Sequence, residues 1–456
     1  MNRSLRDFAM LCGGRYAGED RPYSAVSTDT RSLRGGEIYL ALRGPRFDGN
    51  DFLSSAAAAG AAAAVVDRPV RDAPLPLIEV ADGQEALSAA ARGWRGRFGG
   101  VVVGVAGSNG KTTVKEMIAA ILSRRGACLA TRGNLNNHIG VPLTLLRLTD
   151  EHQSAVIEIG ANRSGEVAAL VEIAQPDVGL ITNAGAEHLE GFGDLDGVAR
   201  AEGEMVAGLG AGDVAVINAD DDYAGLWRSM TTARVVTFGL DHAADFSAAD
   251  VAEELTDAGF RVSFRLRAPQ GQCAVKLNVG GRHNLRNALA AAAAAVSAGA
   301  TLDDVAAGLA AMQPVAGRLQ PGRTAQGARL IDDSYNANPS SMRAGIDVLT
   351  GMPGAAWLVM GDMGELGEHA RSSHEEIGRY ARQRGVQRLF ATGPLSTLAV
   401  ESFGAGASWF PDTESLARAV NELLTRDVTL LVKGSRSNRL ERVVASLTGA
   451  HAKEMH

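Results

Sequence analysis

Short, unbroken apolar runs alternate with longer stretches in which apolar residues recur every three or four positions. Val101–Ala106, "AVIEIG" (155–160), "VGLITN" (178–183) and "VAVIN" (214–218) read as buried strands. A run without polar alternation needs both of its faces covered, as in a parallel sheet. After Lys111 the apolar residues fall at 114, 117, 118, 121 and 122, a helical stripe closed by Gly126. Helical patterns also separate the other strands, so the central region is expected to be a parallel α/β domain. Upstream, "EIYLAL" (37–42) and "AAAVVD" (62–67) predict strands, and "DFLSSAAAAGA" (51–61) predicts a helix ending at a glycine. Downstream, residues 260–280 alternate like an antiparallel hairpin, and "HNLRNALAAAAAAVSAG" (283–299) predicts a strong helix.

The remaining strand signals lie near 328–333, 356–360, 387–391 and 429–432, with helical patterns between them. Two stretches break the periodicity: "RGWRGRFGG" (92–100) and "MQPVAGRLQPGRT" (312–324). They divide the chain into 1–95, 96–312 and 313–456. The expected class is α/β in three domains: a small mixed α/β N-terminal domain, a central parallel-sheet domain and a C-terminal Rossmann-like α/β domain.

The 456 residues are enough for two to four domains, and 46% hydrophobic with 21% charged residues is ordinary for a globular protein. A net charge of -7 gives no overall attraction to nucleic acid or to an anionic membrane. No apolar h-region opens the chain, and the Ala-rich run near 288–296 is too short to span a bilayer, so neither secretion nor membrane insertion is expected. Cys12, Cys128 and Cys273 lie far apart without metal-ligand or CxxC spacing and read as reduced thiols of a cytoplasmic protein. Lysine stands only at 111, 115, 276, 433 and 453, five of the 45 basic residues. Drift from Lys to Arg explains the bias, and a lysine that survives it is a candidate for a role that a planar guanidinium cannot fill.

The segment "GSNGKTT", Gly107, Ser108, Asn109, Gly110, Lys111, Thr112 and Thr113, sits between a predicted strand and helix. There a glycine-rich turn aims backbone N–H groups and a helix N-terminus at phosphate. Lys111 would reach the terminal phosphates and Thr112 would offer its hydroxyl to Mg²⁺. The strict phosphate-loop motif wants glycine at 105, where this chain has Val105, so the match is to a GxxGKT variant. "NADD" (218–221) lacks the lysine that guanine recognition needs, which argues against a GTPase.

Ten segments in order resemble the Mur ligase family over essentially the whole chain. They are "STDTRSLRGGEIYLALRGPRFDGNDF", "GSNGKTTVKEM", "GNLNNHIGVPLTLL", "IEIGANRSGE", "HLEGFG", "GRHNLRNALAA", "GRL", "DDSYNANPSSM", "GDMGELGE" and "KGSRS". The resemblance is to the type that adds D-alanyl-D-alanine; the D-N-P-R string of the diaminopimelate- or lysine-adding type is absent. It implies an ATP- and Mg²⁺-dependent amide ligase of peptidoglycan precursor synthesis. Its substrates would be UDP-MurNAc-tripeptide and D-alanyl-D-alanine, its reaction would run through an acyl phosphate, and it would work as a monomer.

The same resemblance implies site residues. Glu158 and His188 would join Thr112 at the metal, with Lys111 and Arg318 on the phosphates. Asn136 and Asn137 would be phosphate or substrate contacts. Asn284 and Asn287 would meet the nucleotide, with helix capping by Asn284 as the plain alternative. Asp333 would accept from a ribose hydroxyl, near Tyr335, Asn336 and Asn338, and Lys433 and Arg436 would contact anions. In the N-terminal domain Ser27, Thr28, Asp29, Thr30 and Arg31, with Asp48 and Asn50, would hold the UDP sugar; Asx and ST turns are the alternative there.

One position departs from the family. Its members carry a lysine in the helix after "HLEGFG", in a pattern like A-K-G-E, whose carbamate helps hold magnesium. Here "ARAEGEM" (199–205) puts Glu202 at that place, and no lysine lies between 115 and 276. Three readings stay open: Glu202 supplies the carboxylate itself, it supports the site from behind, or the chain has reduced or altered activity as a nucleotide-sugar binder. The neighbouring acids Glu187, Glu190, Asp194 and Asp196 read as solvated or structural.

Overall fold

The computed structural model describes residues 3–186, 188–256 and 259–449. At the centre is a six-stranded sheet, Arg234–Phe238, Val214–Asn218, Val178–Ile181, Val101–Ala106, His152–Glu158 and Ala127–Ala130 in spatial order, with every pairing parallel. The four central runs named from the sequence are all strands, and most of their residues are fully buried, as doubly covered strands require. The helices Lys111–Leu122 and Arg282–Ser297 cover one face. Residues 288–295 in the second are all buried, and all but Leu289 are alanines, whose small side chains let its backbone approach the first helix closely. The strands Phe260 and its neighbours were expected to form belong to a three-stranded antiparallel sheet, in which Ser247–Thr256 precedes the expected hairpin.

The stretch 92–100, expected as a break, is helical as far as Arg95. Trp94 is fully buried and donates its indole N–H to Leu148 O at 3.0 Å. Arg95, also buried, donates to Ala174 O, Gln175 O and Asp177. The core of the N-terminal sheet, Arg15–Tyr16, Leu77–Glu79, Ala63–Val66, Ile38–Leu40 and Val26–Ser27 in spatial order, therefore runs without a gap into that of the central sheet. Of the three arginines in this stretch only Arg95 is buried against carbonyls; Arg92 and Arg97 are exposed and pair with Glu172 and Asp7.

The C-terminal sheet runs Gln320–Arg323, Arg329–Asp333, Val428–Lys433, Ala355–Gly361, Arg388–Thr392 and Ala407–Phe410. All pairings are parallel except the first. The sequence pattern missed both edge strands. Gln320–Arg323 holds a proline and a glycine and lies inside the expected linker 312–324. An edge strand tolerates both residues because half of its backbone groups need no partner. The C-terminal ends of the central and C-terminal sheets face each other across one cavity of about 620 Å³. Open α/β sheets bind ligands at that end of their strands.

Candidate active site

The phosphate loop closes one side of the cavity. Gly107 and Gly110 both have positive φ, +118° and +86°. A Cβ on Gly107 would lie 2.1 Å from Thr182 Oγ1, and one on Gly110 2.6 Å from Asn287 Oδ1. Only glycine fits at either place, which is why the loop keeps these two although residue 105 is a buried valine within the strand. The loop is pinned from the neighbouring strand end: Ser108 N donates to Asn183 O at 2.9 Å and Asn109 N to Asn183 Oδ1 at 3.1 Å. The Lys111 ammonium folds back on the loop carbonyls of Gly107 and, at 3.2 Å, Ser108. Thr113 is buried in the first turn of the helix Lys111–Leu122.

Beyond the loop, Thr112 Oγ1 donates to Glu158 Oε1 at 3.3 Å, and Asn136 Nδ2 donates to the same oxygen at 2.9 Å. Glu158 Oε2 is buried and makes no hydrogen bond among the described residues. A carboxylate oxygen left over beside a hydroxyl, on a cavity wall, is a hard-oxygen donor set that suits Mg²⁺, which keeps several waters and needs few protein ligands. Asn137 is engaged differently: its Oδ1 accepts from Ile139 N and Gly140 N and so starts the helix Gly140–Leu145.

His188 lines the cavity, but its Nδ1 lies 2.7 Å from Glu365 Oε2 in the C-terminal part of the chain. That bond holds the Glu365 carboxyl below its ordinary range. No three or more His, Cys, Asp or Glu side chains gather as a metal cluster among the described residues. Glu202 is buried, and its Oε2 accepts from Gly107 N at 2.6 Å, so it grips the first glycine of the phosphate loop. The other acids of its stretch have local tasks. Asp194 caps the helix Leu195–Ala207, Asp196 accepts from the Tyr223 hydroxyl, and Glu204 accepts from Gly165 N and Ala168 N. Glu190 is exposed, and Glu187 lies outside the described residues.

The far wall comes from the C-terminal sheet and its loops. Arg318 Nη2 donates to Thr112 Oγ1 at 3.0 Å, with its guanidinium 4.4 Å from the Tyr335 ring centre. Arg436 lies 5.8 Å from the same ring and 3.6 Å from Glu441, half exposed. Asn338 caps the helix Pro339–Gly351 through Ser341 N and donates its Nδ2 to Asn109 Oδ1 at 2.8 Å. Lys433 is not a solvated cation: it is buried, 2.6 Å from Asp333 Oδ2 and 2.9 Å from Asn336 O. Asp333 also accepts from Leu319 N, so both of its oxygens are engaged.

The helix Arg282–Ser297 supplies the remaining wall. Asn284 does not cap it. Its Nδ2 donates to Gly280 O at 2.8 Å from within the first turn, and its Oδ1 accepts from Asn287. His283, half-buried beside them, is lowered to about 4 by burial. Arg286 is held by Asp220, whose carboxylate also accepts from the backbone N–H groups of Leu240, Asp241 and His242. His283, Arg286, Asn183 and Glu365 were not singled out in the sequence. Each lies in a segment quoted above, but as one polar residue among several there, and only the folded chain brings it to the cavity or to a residue that lines it.

The N-terminal candidates line no part of this cavity. Ser27 Oγ accepts from Asp29 N at 3.2 Å, and the Arg31 guanidinium binds Asp29, lowering the Asp29 carboxyl. Thr28 and Thr30 lie half-buried on the same turn. Asp48 accepts from Asn50 N and Nδ2 and lies 3.1 Å from Arg68. Asn50 is buried, and its Oδ1 makes no hydrogen bond among the described residues.

Three family models match in order: the Mur ligase family catalytic domain at 22–95, the Mur ligase middle domain at 105–295, and the Mur ligase glutamate ligase domain at 317–436. The chain is 44% identical to the UDP-N-acetylmuramoyl-tripeptide--D-alanyl-D-alanine ligase of Escherichia coli (strain K12), over 97% of this chain and 98% of that one. It superposes on a crystal structure of MurF from Acinetobacter baumannii with a TM-score of 0.91 and 34% identity, covering 98% of this chain and 99% of the other. MurF from Thermotoga maritima in complex with ADP gives 0.82 and 28%, over 93% and 97%. With similarity running along nearly its whole length, the chain belongs to the Mur ligase family.

Proposed function

We propose that the protein joins D-alanyl-D-alanine to the tripeptide carboxylate of UDP-MurNAc-tripeptide, with ATP converted to ADP and phosphate. The observation that carries this reading is the shared cavity, in which the phosphate loop faces Arg318, Tyr335 and Asn338. In the proposed reaction the peptide carboxylate attacks the γ-phosphorus, ADP leaves, and an acyl phosphate forms. The dipeptide amine then attacks the acyl carbon, loses a proton and expels phosphate. Negative charge accumulates on phosphate oxygens in both steps, so preorganised cations and N–H donors are what the chemistry needs.

Lys111 would leave the loop carbonyls for the phosphates, and Arg318 would bring its guanidinium from the other wall. Magnesium, held by Thr112 and Glu158, would supply Lewis-acid withdrawal of charge from the phosphate oxygens. His188 would add to that site through Nε2, with its Nδ1 held by the Glu365 carboxylate. The bond from Gly107 to Glu202 favours the reading in which Glu202 supports the site from behind, by fixing the shape of the loop. Residues 1–95 would take the UDP sugar, 96–312 the nucleotide and 313–456 the dipeptide, in a cytoplasmic monomer.

The test is phosphate release from ATP by the full chain with each substrate omitted in turn. Release should require both UDP-MurNAc-tripeptide and D-alanyl-D-alanine, and release indifferent to the dipeptide would overturn the reading. Glu202→Ala should lose most activity, with the wild type indifferent to added bicarbonate; unchanged turnover in that variant would remove Glu202 from the site.

A further inference from the structure

Lys115, one turn after Lys111 on the phosphate-loop helix, has no part in the chemistry above, and it is almost completely buried, at 1% exposure. A buried ammonium is costly unless its charge and its donors are all met. Here Nζ donates to Thr131 O at 2.7 Å and lies 2.6 Å from Glu116 Oε1, so Glu116 supplies the countercharge and Thr131 a fixed direction.

Thr131 is itself buried, just past the strand Ala127–Ala130. Its N–H donates to Val156 O at 3.1 Å, and its Oγ1 accepts from Glu158 N at 3.0 Å. The loop that leaves Thr131 returns Asn136 to the Glu158 carboxylate. Glu158 is thus held twice from this strand end, at its backbone through Thr131 and at its side chain through Asn136. Lys115 is what ties that strand end to the helix carrying Lys111 and Thr112.

We propose that Lys115 is a positioning residue that, through Thr131, sets the Glu158 carboxylate against Thr112 for a divalent cation. The inference rests on the reading of Thr112 and Glu158 as the cation's protein ligands, but not on the identity of the peptide substrate. A guanidinium would not serve, because its planar fork is larger and the pocket around Nζ is closed. That accounts for a lysine here in a chain in which arginine is far the commoner base.

The test uses Mn²⁺ as the probe, titrated into the full chain in the presence of saturating ADP and followed by the electron paramagnetic resonance of free Mn²⁺. Removing a group that orients a metal's ligands typically costs about 10–100-fold in metal affinity. Lys115→Met and Thr131→Val should each weaken Mn²⁺ by about tenfold at least, while a fluorescent ADP analogue without metal binds within about twofold of wild type. Thr131→Ser, which keeps the hydroxyl, should bind Mn²⁺ as the wild type does. Wild-type Mn²⁺ affinity in Lys115→Met and Thr131→Val overturns the proposal, as does an equal loss of metal-free nucleotide binding. Should Lys115→Met fail to fold, the Thr131→Val and Thr131→Ser pair decides it alone. A ligase with some other peptide substrate would leave these outcomes as stated.

Discussion

The pair Lys433–Asp333 shows how burial converts a surface motif into a structural one. Side-chain exposures of 3% and 12% leave the two charges little but each other and the loop backbone. Removing one partner of such a pair strands the other charge, at a cost of about 3–5 kcal/mol. Lys433→Met is therefore expected to lower stability by that amount in urea unfolding, and Lys433→Met with Asp333→Asn to recover much of it. Equal stabilities of the single and double variants would argue against the pair. His283 adds a pH dependence. Burial lowers it to about 4, so from about pH 6.5 down to 4 the unfolded chain takes up a proton that the folded chain refuses. Stability should fall through that window as pH drops and level off below it. His283→Gln should flatten the difference in urea midpoint between pH 7 and pH 4.5; an unchanged difference would exclude His283 as its source.

At the scale of elements, the helix Pro339–Gly351 begins where the two halves of the site meet. Asn338 accepts from Ser341 N at 2.8 Å with one end of its amide and donates to Asn109 with the other. Asn338→Ala loses both, with about 1 kcal/mol from the cap. Asn338→Asp keeps the cap acceptor and loses only the donor. The alanine variant is expected to lower the melting temperature and both variants to raise the KM for ATP, by about fivefold for one hydrogen bond. An aspartate variant with wild-type KM would mean that the contact with Asn109 is incidental. Elements of this kind were legible in the sequence wherever one periodicity ran long enough: the six-residue strand before the phosphate loop, its helix, and Arg282–Ser297. The edge strands Gln320–Arg323 and Ala407–Phe410 were not, because four residues half open to water carry no strong pattern.

For the whole molecule, the junctions between the sheets carry the most consequence. Arg95 closes the first, with Ala174 O, Gln175 O and Phe98 O as acceptors. Arg95→Met would leave those carbonyls without their donor, at roughly 1–3 kcal/mol for each that finds no other. Limited proteolysis within 96–100 is expected to speed up in that variant, and resistance equal to wild type would show that the shared hydrophobic core alone holds the junction. The second junction is bridged by Arg318 to Thr112, Asn338 to Asn109 and His188 to Glu365. These three contacts join residues 177 to 229 positions apart in the chain.

That separation marks the division between the two sources of information. The sequence by itself determined the α/β class, the phosphate loop with its lysine and threonine, and the family, since each is written in neighbouring residues or in the order of short segments. It also singled out Glu202 and the few lysines. Only the tertiary structure decided what those side chains touch: Glu202 on Gly107, Lys433 on Asp333, His188 on Glu365, Lys115 on Thr131. Periodicity reports which face of an element is buried, but hydrogen bonds and ion pairs act over about 3–4 Å and depend on which distant strand end the fold brings alongside.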